Sequence, residues 1–211
     1  YTSAALDVRP PYVRTHEAPV GNLVTDALYA RLEPLGAQMA VINAGSLRDD
    51  DGCDRIDEIP RGAVRRGQIE RLLAGSGPFA IVAVTATDLR AALEIAVSAL
   101  TEPAPTNASP AFLQISHLRF TVDCDRPAHP DGAPGGRVTD VQWIDAGGTP
   151  QPLLDTHPVT GQAAVYRVAT TSYVAGGGAG LSSLSHPVPL SGLDATDAIV
   201  VSYLSAAPGG M

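Results

Sequence analysis

The 211-residue chain predicts an α+β domain built on a mixed β-sheet flanked by helices, and three observations carry that prediction. Apolar residues recur at helical three-and-four spacing through the first half, interleaved with short apolar runs of strand type. Alternating strand patterns then cluster in the second half. A composition of 45% hydrophobic against 17% charged residues suffices for one substantial core. One domain over 1–211 is therefore expected, with residues 1–12 as a linker.

Gly21 to Leu32 reads as an amphipathic helix, since Val20, Leu23, Val24, Ala27, Leu28 and Leu32 share a face and Pro34 follows as a stop. Gln38 to Ile42 is a short apolar run of buried-strand type. The turn Asn43-Ala44-Gly45-Ser46 then places Arg48 just beyond a strand end, where ligands of α/β sheets tend to bind. A polar loop, Asp49 to Arg61, leads to a helix around Arg65 to Leu73 that stops at Gly75-Ser76-Gly77-Pro78. Phe79 to Thr85 is β-rich. Thr87 is a suitable N-cap for a helix reaching Leu100, with Leu89, Ala92, Leu93, Ala96, Val97 and Leu100 on one face. Thr101 to Pro110 is too polar and broken for the core. Phe112 to Ser116, Leu118 to Val122, Arg137 to Ile144 and Val165 to Thr171 read as strands. Asp197 to Leu204 reads as a closing helix capped by Thr196.

The net charge of −8 and a pI near 4.9 give no long-range positive field, and no Lys/Arg run tracks a phosphate backbone, so nucleic acid is not an expected partner. A small phosphorylated ligand remains compatible, because two or three arginines can hold it within an acidic surface. No stretch approaches the roughly 20 apolar residues of a membrane span. The chain opens at Tyr1 without an initiator Met or a basic leader, which leads to the expectation of a piece processed or cut from something longer. Cys53 and Cys124 either pair, closing a long loop worth about 4 kcal/mol in the chain-entropy model, or stay as thiols. Neither has a second ligand at zinc spacing.

Four stretches, in order, resemble one family. Val13-Arg14-Thr15-His16-Glu17 with Gly21-Asn22-Leu23-Val24-Thr25-Asp26-Ala27 is similar to the opening signature of the C-terminal domain of 5'-nucleotidases and UDP-sugar hydrolases. Asn43-Ala44-Gly45-Ser46-Leu47-Arg48 resembles that family's Asn-Gly-Gly-Gly-Ile-Arg turn. Phe112 to Ser116 resembles its strand ending in Gly, and Ser172 to Gly180 its Asn-Phe/Tyr-Leu-Ala-x-Gly-Gly-Asp-Gly loop. The resemblance implies the same fold and a division of labour. An N-terminal two-metal phosphoesterase domain, absent from this chain, does the hydrolysis, while the C-terminal domain holds the nucleotide and rotates to present it.

On that resemblance Arg14 and Arg48 grip phosphate, Asn43 contacts the ligand, and Tyr173 stacks on the base. Blander readings stand beside each. The arginines could cap carbonyls or pair with Glu17 or Asp26, Asn43 is a good turn former, and Tyr173 could be a rim tyrosine. Gly45, Gly75, Phe79, His117, Gly178 and Ala179 are candidate pocket-lining residues. The departures are as informative. Ala74 to Gly77 replaces a Pro-Phe-Gly-Asn segment carrying the second stacking ring, for which Phe79 could substitute only in a reshaped loop. Ala179 replaces an Asp that accepts from the ribose hydroxyls, a loss of about 1.5–3 kcal/mol. His117 stands where the family has Gly.

Catalytic residues are not expected. The five histidines, at 16, 117, 129, 157 and 186, are scattered, and Asp155-Thr156-His157 lacks the partners of a two-metal site. Ser116 and His117, neighbours on a strand, should point to opposite faces. The Gly176 to Gly180 cluster has no Lys-Ser/Thr after it and is no P-loop. The expectation is a nucleotide-recognition domain with an eroded or recut pocket, from an extracellular, periplasmic or cell-surface protein, with its two divalent metals in the missing domain. Two rivals stand beside it. One is a non-enzymatic interaction module; the other is a stand-alone protein with a different ligand, for which His117 beside Arg48 is the first place to look.

Overall fold

Strands β4 (Phe79–Thr85) and β9 (Val165–Thr171) pair antiparallel over their full seven-residue lengths and form the spine of the fold. The computed structural model describes residues 2–47, 56–101, 108–156, 160–190 and 194–206. Beside β9 lies β2 (Met39–Asn43), parallel to it, and β5 (Leu113–Ser116) runs antiparallel to β2. β10 (Pro187–Val188) completes the order β10-β4-β9-β2-β5. A mixed sheet is what the sequence predicts, and the α+β class holds.

Successive strand side chains face opposite layers. Ala40, Ile42, Phe79, Ile81 and Ala169 enter one core with helices α2 (Pro19–Leu32), α3 (Arg66–Leu72) and α6 (Thr196–Ala206). Met39, Val41, Val82, Val84 and Val168 enter the other, beneath α4 (Ala86–Val97) and a three-stranded sheet of β6 (Leu118–Val122), β7 (Val138–Ile144) and β8 (Pro150–Pro152). Because the large sheet is covered on both faces, β2 is buried at every position, which is why it reads as a continuous apolar run.

Several local expectations are corrected. The stretch expected as a linker joins the body: β1 (Leu6–Asp7) pairs with β3 (Glu58–Ile59), Leu6 and Val8 are buried, and α1 (Pro10–Val13) follows. The cap of α4 is Thr85 rather than Thr87. Thr85 Oγ1 accepts from Asp88 N at 3.2 Å, and Asp88 Oδ2 accepts from Thr85 N at 2.9 Å, a reciprocal capping box. Thr196 does not cap by its hydroxyl, which donates to Gly77 O at 2.9 Å and ties α6 to the loop before β4. Cys53 and His157 lie outside the described residues, and the Cys53–Cys124 pairing with them.

Candidate functional site

One end of the large sheet gathers the segments that the sequence singles out. β2 and β9 both finish there, and β4 and β5 both start there, as the pairs Phe79–Thr171 and Asn43–Leu113 fix. The turn 44–46 is stitched to the chain before β5 by Ala44 N donating to Phe112 O (2.7 Å) and Gly45 N to Pro110 O (3.0 Å). Ser76 Oγ donates to Ser46 O at 3.3 Å and Ser172 N to Pro78 O at 2.7 Å, so the loop before β4 bridges the turn after β2 and the turn after β9. α1 packs against 44–46 and sets half-buried Arg14, its C-cap residue, beside the same turn.

Arg14, Asn43, Gly45, Gly75, Tyr173, Gly178 and Ala179 are thus brought to one sheet end. Arg48 is outside the described residues. Tyr173, in α5 (Ser172–Ala175), is 51% exposed, and its hydroxyl accepts from Ala179 N at 3.0 Å. A Cβ on Gly178 would lie 2.6 Å from the Tyr173 ring, so only glycine lets the loop close onto that ring. The ring is pinned against its own loop while half its surface faces solvent. Ala179 holds φ +56° and ψ +20°, a left-handed conformation that costs an alanine about 1 kcal/mol.

Other members of the set are committed to structure. Asn43 is 2% exposed; its Nδ2 donates to Pro110 O (3.1 Å), and its Oδ1 accepts from Ser46 Oγ (2.7 Å). That is the work of a turn-forming Asn. Gly45 allows the close approach, since a Cβ there would meet Pro110 Cβ at 2.8 Å. Phe79 is 1% exposed in the core under α2 and α3, so it does not supply a second stacking wall.

His117 is at the opposite end of β5 from Leu113, not beside the Asn43 turn. Its φ of +57° breaks the strand between β5 and β6, and this overturns the expectation that Ser116 and His117 face apart. Ser116 Oγ lies 3.0 Å from His117 Nδ1 and donates to Asp26 Oδ1 at 2.6 Å. With the hydroxyl proton given to Asp26, this is no nucleophile–base pair. The imidazole stacks on Tyr29 at 3.5 Å, and burial pushes its pKa below the ordinary 6.5. Glu17, Asn22 and Asp26 from the opening signature share this groove of about 260 Å³, and Asn22 Nδ2 donates to Glu17 Oε1 at 2.9 Å. Glu17 and Asp26 thus each hold a hydrogen-bond partner in this groove.

Sequence reading missed the residue that holds this region together. Gln114 is fully buried, accepts from Ala18 N (2.9 Å) and donates to both Val13 O (2.7 Å) and His16 O (2.7 Å). It fastens the segment carrying Arg14 to β5. The available signal was a lone amide inside an apolar strand. Among the described residues no three His, Cys, Asp or Glu side chains converge to hold a metal ion, and no helix is long and apolar enough to cross a membrane.

A family model described as "5'-nucleotidase, C-terminal domain" matches residues 2–186. The trifunctional nucleotide phosphoesterase protein YfkN of Bacillus subtilis (strain 168) is 27% identical over 183 residues, which are 86% of this chain and 11% of that protein. The crystal structure of a 5'-nucleotidase precursor from Thermus thermophilus superposes with a TM-score of 0.77 at 27% identity, over 96% of this chain and 35% of that one. A Thermus thermophilus sulfate thiohydrolase, SoxB, superposes at 0.61 with 17% identity, over 96% of this chain and 31% of that one. The fold alone therefore fixes no ligand. The chain spans little more than a third of the longest-covered of these relatives, and a ninth of YfkN.

Proposed function

The chain belongs to the family of 5'-nucleotidase C-terminal domains, and from that premise we propose that it is the nucleotide-holding part of a phosphoesterase of the 5'-nucleotidase kind. The observation that carries the reading is the meeting of Arg14, the Asn43–Ser46 turn and the Tyr173–Ala179 loop at one end of the sheet. An arginine beside a turn, with an exposed, pinned ring in a loop at the same sheet end, suits the two halves of a nucleotide: a phosphate and a flat base. The turnover chemistry would come from a two-metal domain elsewhere in the full protein, with this domain supplying orientation. An extracellular, periplasmic or cell-surface location follows from the same reading, in keeping with the Thermus relative's description as a precursor.

The cradle for the nucleoside is reduced. Ala179 offers no carboxylate to ribose, Phe79 is in the core, and the Asn43 amide is occupied. Phosphate then carries the larger share of the affinity. Calorimetry should accordingly find AMP bound at least about tenfold more tightly than adenosine, with Tyr173→Ala weakening AMP about tenfold. Equal affinity for AMP and adenosine, or a Tyr173→Ala protein that binds AMP like the parent, would refute the assignment. Absence of all nucleotide binding would favour the non-enzymatic module, to which the occupied Asn43 amide and the buried Phe79 already lend some weight.

A further inference from the structure

A second groove lies at the other end of the large sheet, where β9 begins at Val165; the seven residues of β9 place it about 20 Å from Thr171 and the Tyr173 loop. It encloses about 370 Å³ between the β7–β8 hairpin and the start of β9. Its floor is the half-buried ring of Trp143, held edge-on by Tyr166 at 6.4 Å, and its rim carries Pro152, Leu154 and Val165. Leu154 and Val165 are 41% and 57% exposed. Tyr166 fixes the rim through its hydroxyl, which accepts from Leu154 N at 2.8 Å.

The polar atoms of this groove are uncharged and incompletely used. Gln38 Oε1 accepts from Arg167 N at 3.0 Å, which orients the amide and leaves its NH2 group without a partner among the described residues. Gln151 Nε2 donates to Asp145 Oδ2 at 2.9 Å, and its Oε1 has no donor among the described residues. The Trp143 indole N–H has no acceptor among the described residues, and it is not among the buried, unsatisfied atoms. None of the lining residues is charged. The nearby charges are engaged with the protein: Asp145 accepts from Gly147 N, Thr149 N and Gln151 Nε2, and the Arg167 guanidinium donates to Leu35 O at 3.0 Å.

We propose that this groove binds a neutral saccharide. A sugar ring presents an apolar C–H face that packs on an indole, and a belt of hydroxyls that both donate and accept; a flat ring flanked by two oriented amides is the matching surface. Two other occupants fit less well. A charged ligand finds no counter-charge here. A proline-rich peptide needs a row of exposed aromatic ridges, whereas Tyr166 is only 5% exposed and Trp143 stands alone.

Trp143 is the single tryptophan of the chain, so intrinsic fluorescence reports this groove without labelling. Titration with maltohexaose, cellohexaose and chitohexaose should give a saturable shift of the emission to shorter wavelength with at least one of them. The affinity should be unchanged between about 0.05 and 0.5 M NaCl, because no charge is involved. Gln38→Ala and Gln151→Ala, which keep the fluorophore, should each weaken binding about tenfold. The proposal is overturned if none of the three sugars alters the emission, or if both glutamine variants bind like the parent. It is equally overturned if the emission shifts with protein concentration alone, which would give this face to a second copy of the chain.

Discussion

Replacing Gln114 by alanine is expected to destabilise the protein by about 3–5 kcal/mol, the largest loss expected for any polar side chain among the described residues. The amide is fully buried and makes three hydrogen bonds, to Ala18 N, Val13 O and His16 O. Truncation leaves one donor and two acceptors facing a void. Each unsatisfied buried group costs about 1–3 kcal/mol, offset where the segment 13–18 shifts or water enters. Gly21 shows how tight the fit is, since a Cβ there would overlap Gln114 Oε1. Urea denaturation of the variant provides the measure, and a change below about 1 kcal/mol would mean that the amide does not clamp this segment. A nucleotide titration of the same variant adds a second reading. Because the clamped segment carries Arg14, affinity for AMP should fall as well, beyond what the loss of folded protein explains.

The second large effect is expected at Glu94, a carboxylate that is only 3% exposed. Its Oε2 accepts from Arg137 N at 2.9 Å and its Oε1 from Val138 N at 3.0 Å, so α4 holds the first residue of β7 and the one before it. Arg137 returns the contact: its guanidinium donates to Val97 O, Ser98 O and Leu100 O at 3.3, 3.2 and 2.6 Å, satisfying carbonyls at the C-terminal end of α4. A Cβ on Gly136 would meet Glu94 Oε2 at 2.5 Å and push the carboxylate off these two backbone N–H groups. Glu94→Ala strands two backbone N–H groups and opens a cavity, for an expected cost of about 2–4 kcal/mol. Glu94→Gln, which keeps one acceptor, should cost less than half of that. Equal stability of the alanine variant and the parent would show that the small sheet is held by its apolar contacts with α4 alone.

These two residues mark where sequence reading stops. Apolar periodicity locates α2, α4 and β6, and β-rich runs and turn residues locate α3, β4 and β9, to within a few residues, since burial against a sheet imposes the apolar pattern directly. The short pairs β1–β3 and β10 escape notice because two-residue strands have no period. Glu94 sits one position off the apolar stripe of α4, and only the crossing of β7, more than forty residues later, buries it. Gln114 is unreadable for the same reason, its partners lying 96 to 101 residues away. His117 fails differently. Strand alternation says that it should face away from Ser116, and a single positive φ reverses that. At the candidate cleft, motif order alone collects Arg14, Asn43 and Tyr173. What it cannot tell is which of them is already spent on the fold, and that is decided by the hydrogen bonds of Asn43 and the burial of Phe79.

The central claim is that the end of the sheet where β2 and β9 finish is the ligand cleft. Titration of isotopically labelled protein with AMP, followed through backbone amide resonances, tests it most directly. Shifts concentrated at Asn43–Ser46, at Gly75–Gly77 and at Tyr173–Ala179, with the far end of β9 near Val165 unmoved, are the predicted result. Perturbations centred on the 420 Å³ groove between α2 and α6, or none at the sheet end, would contradict it.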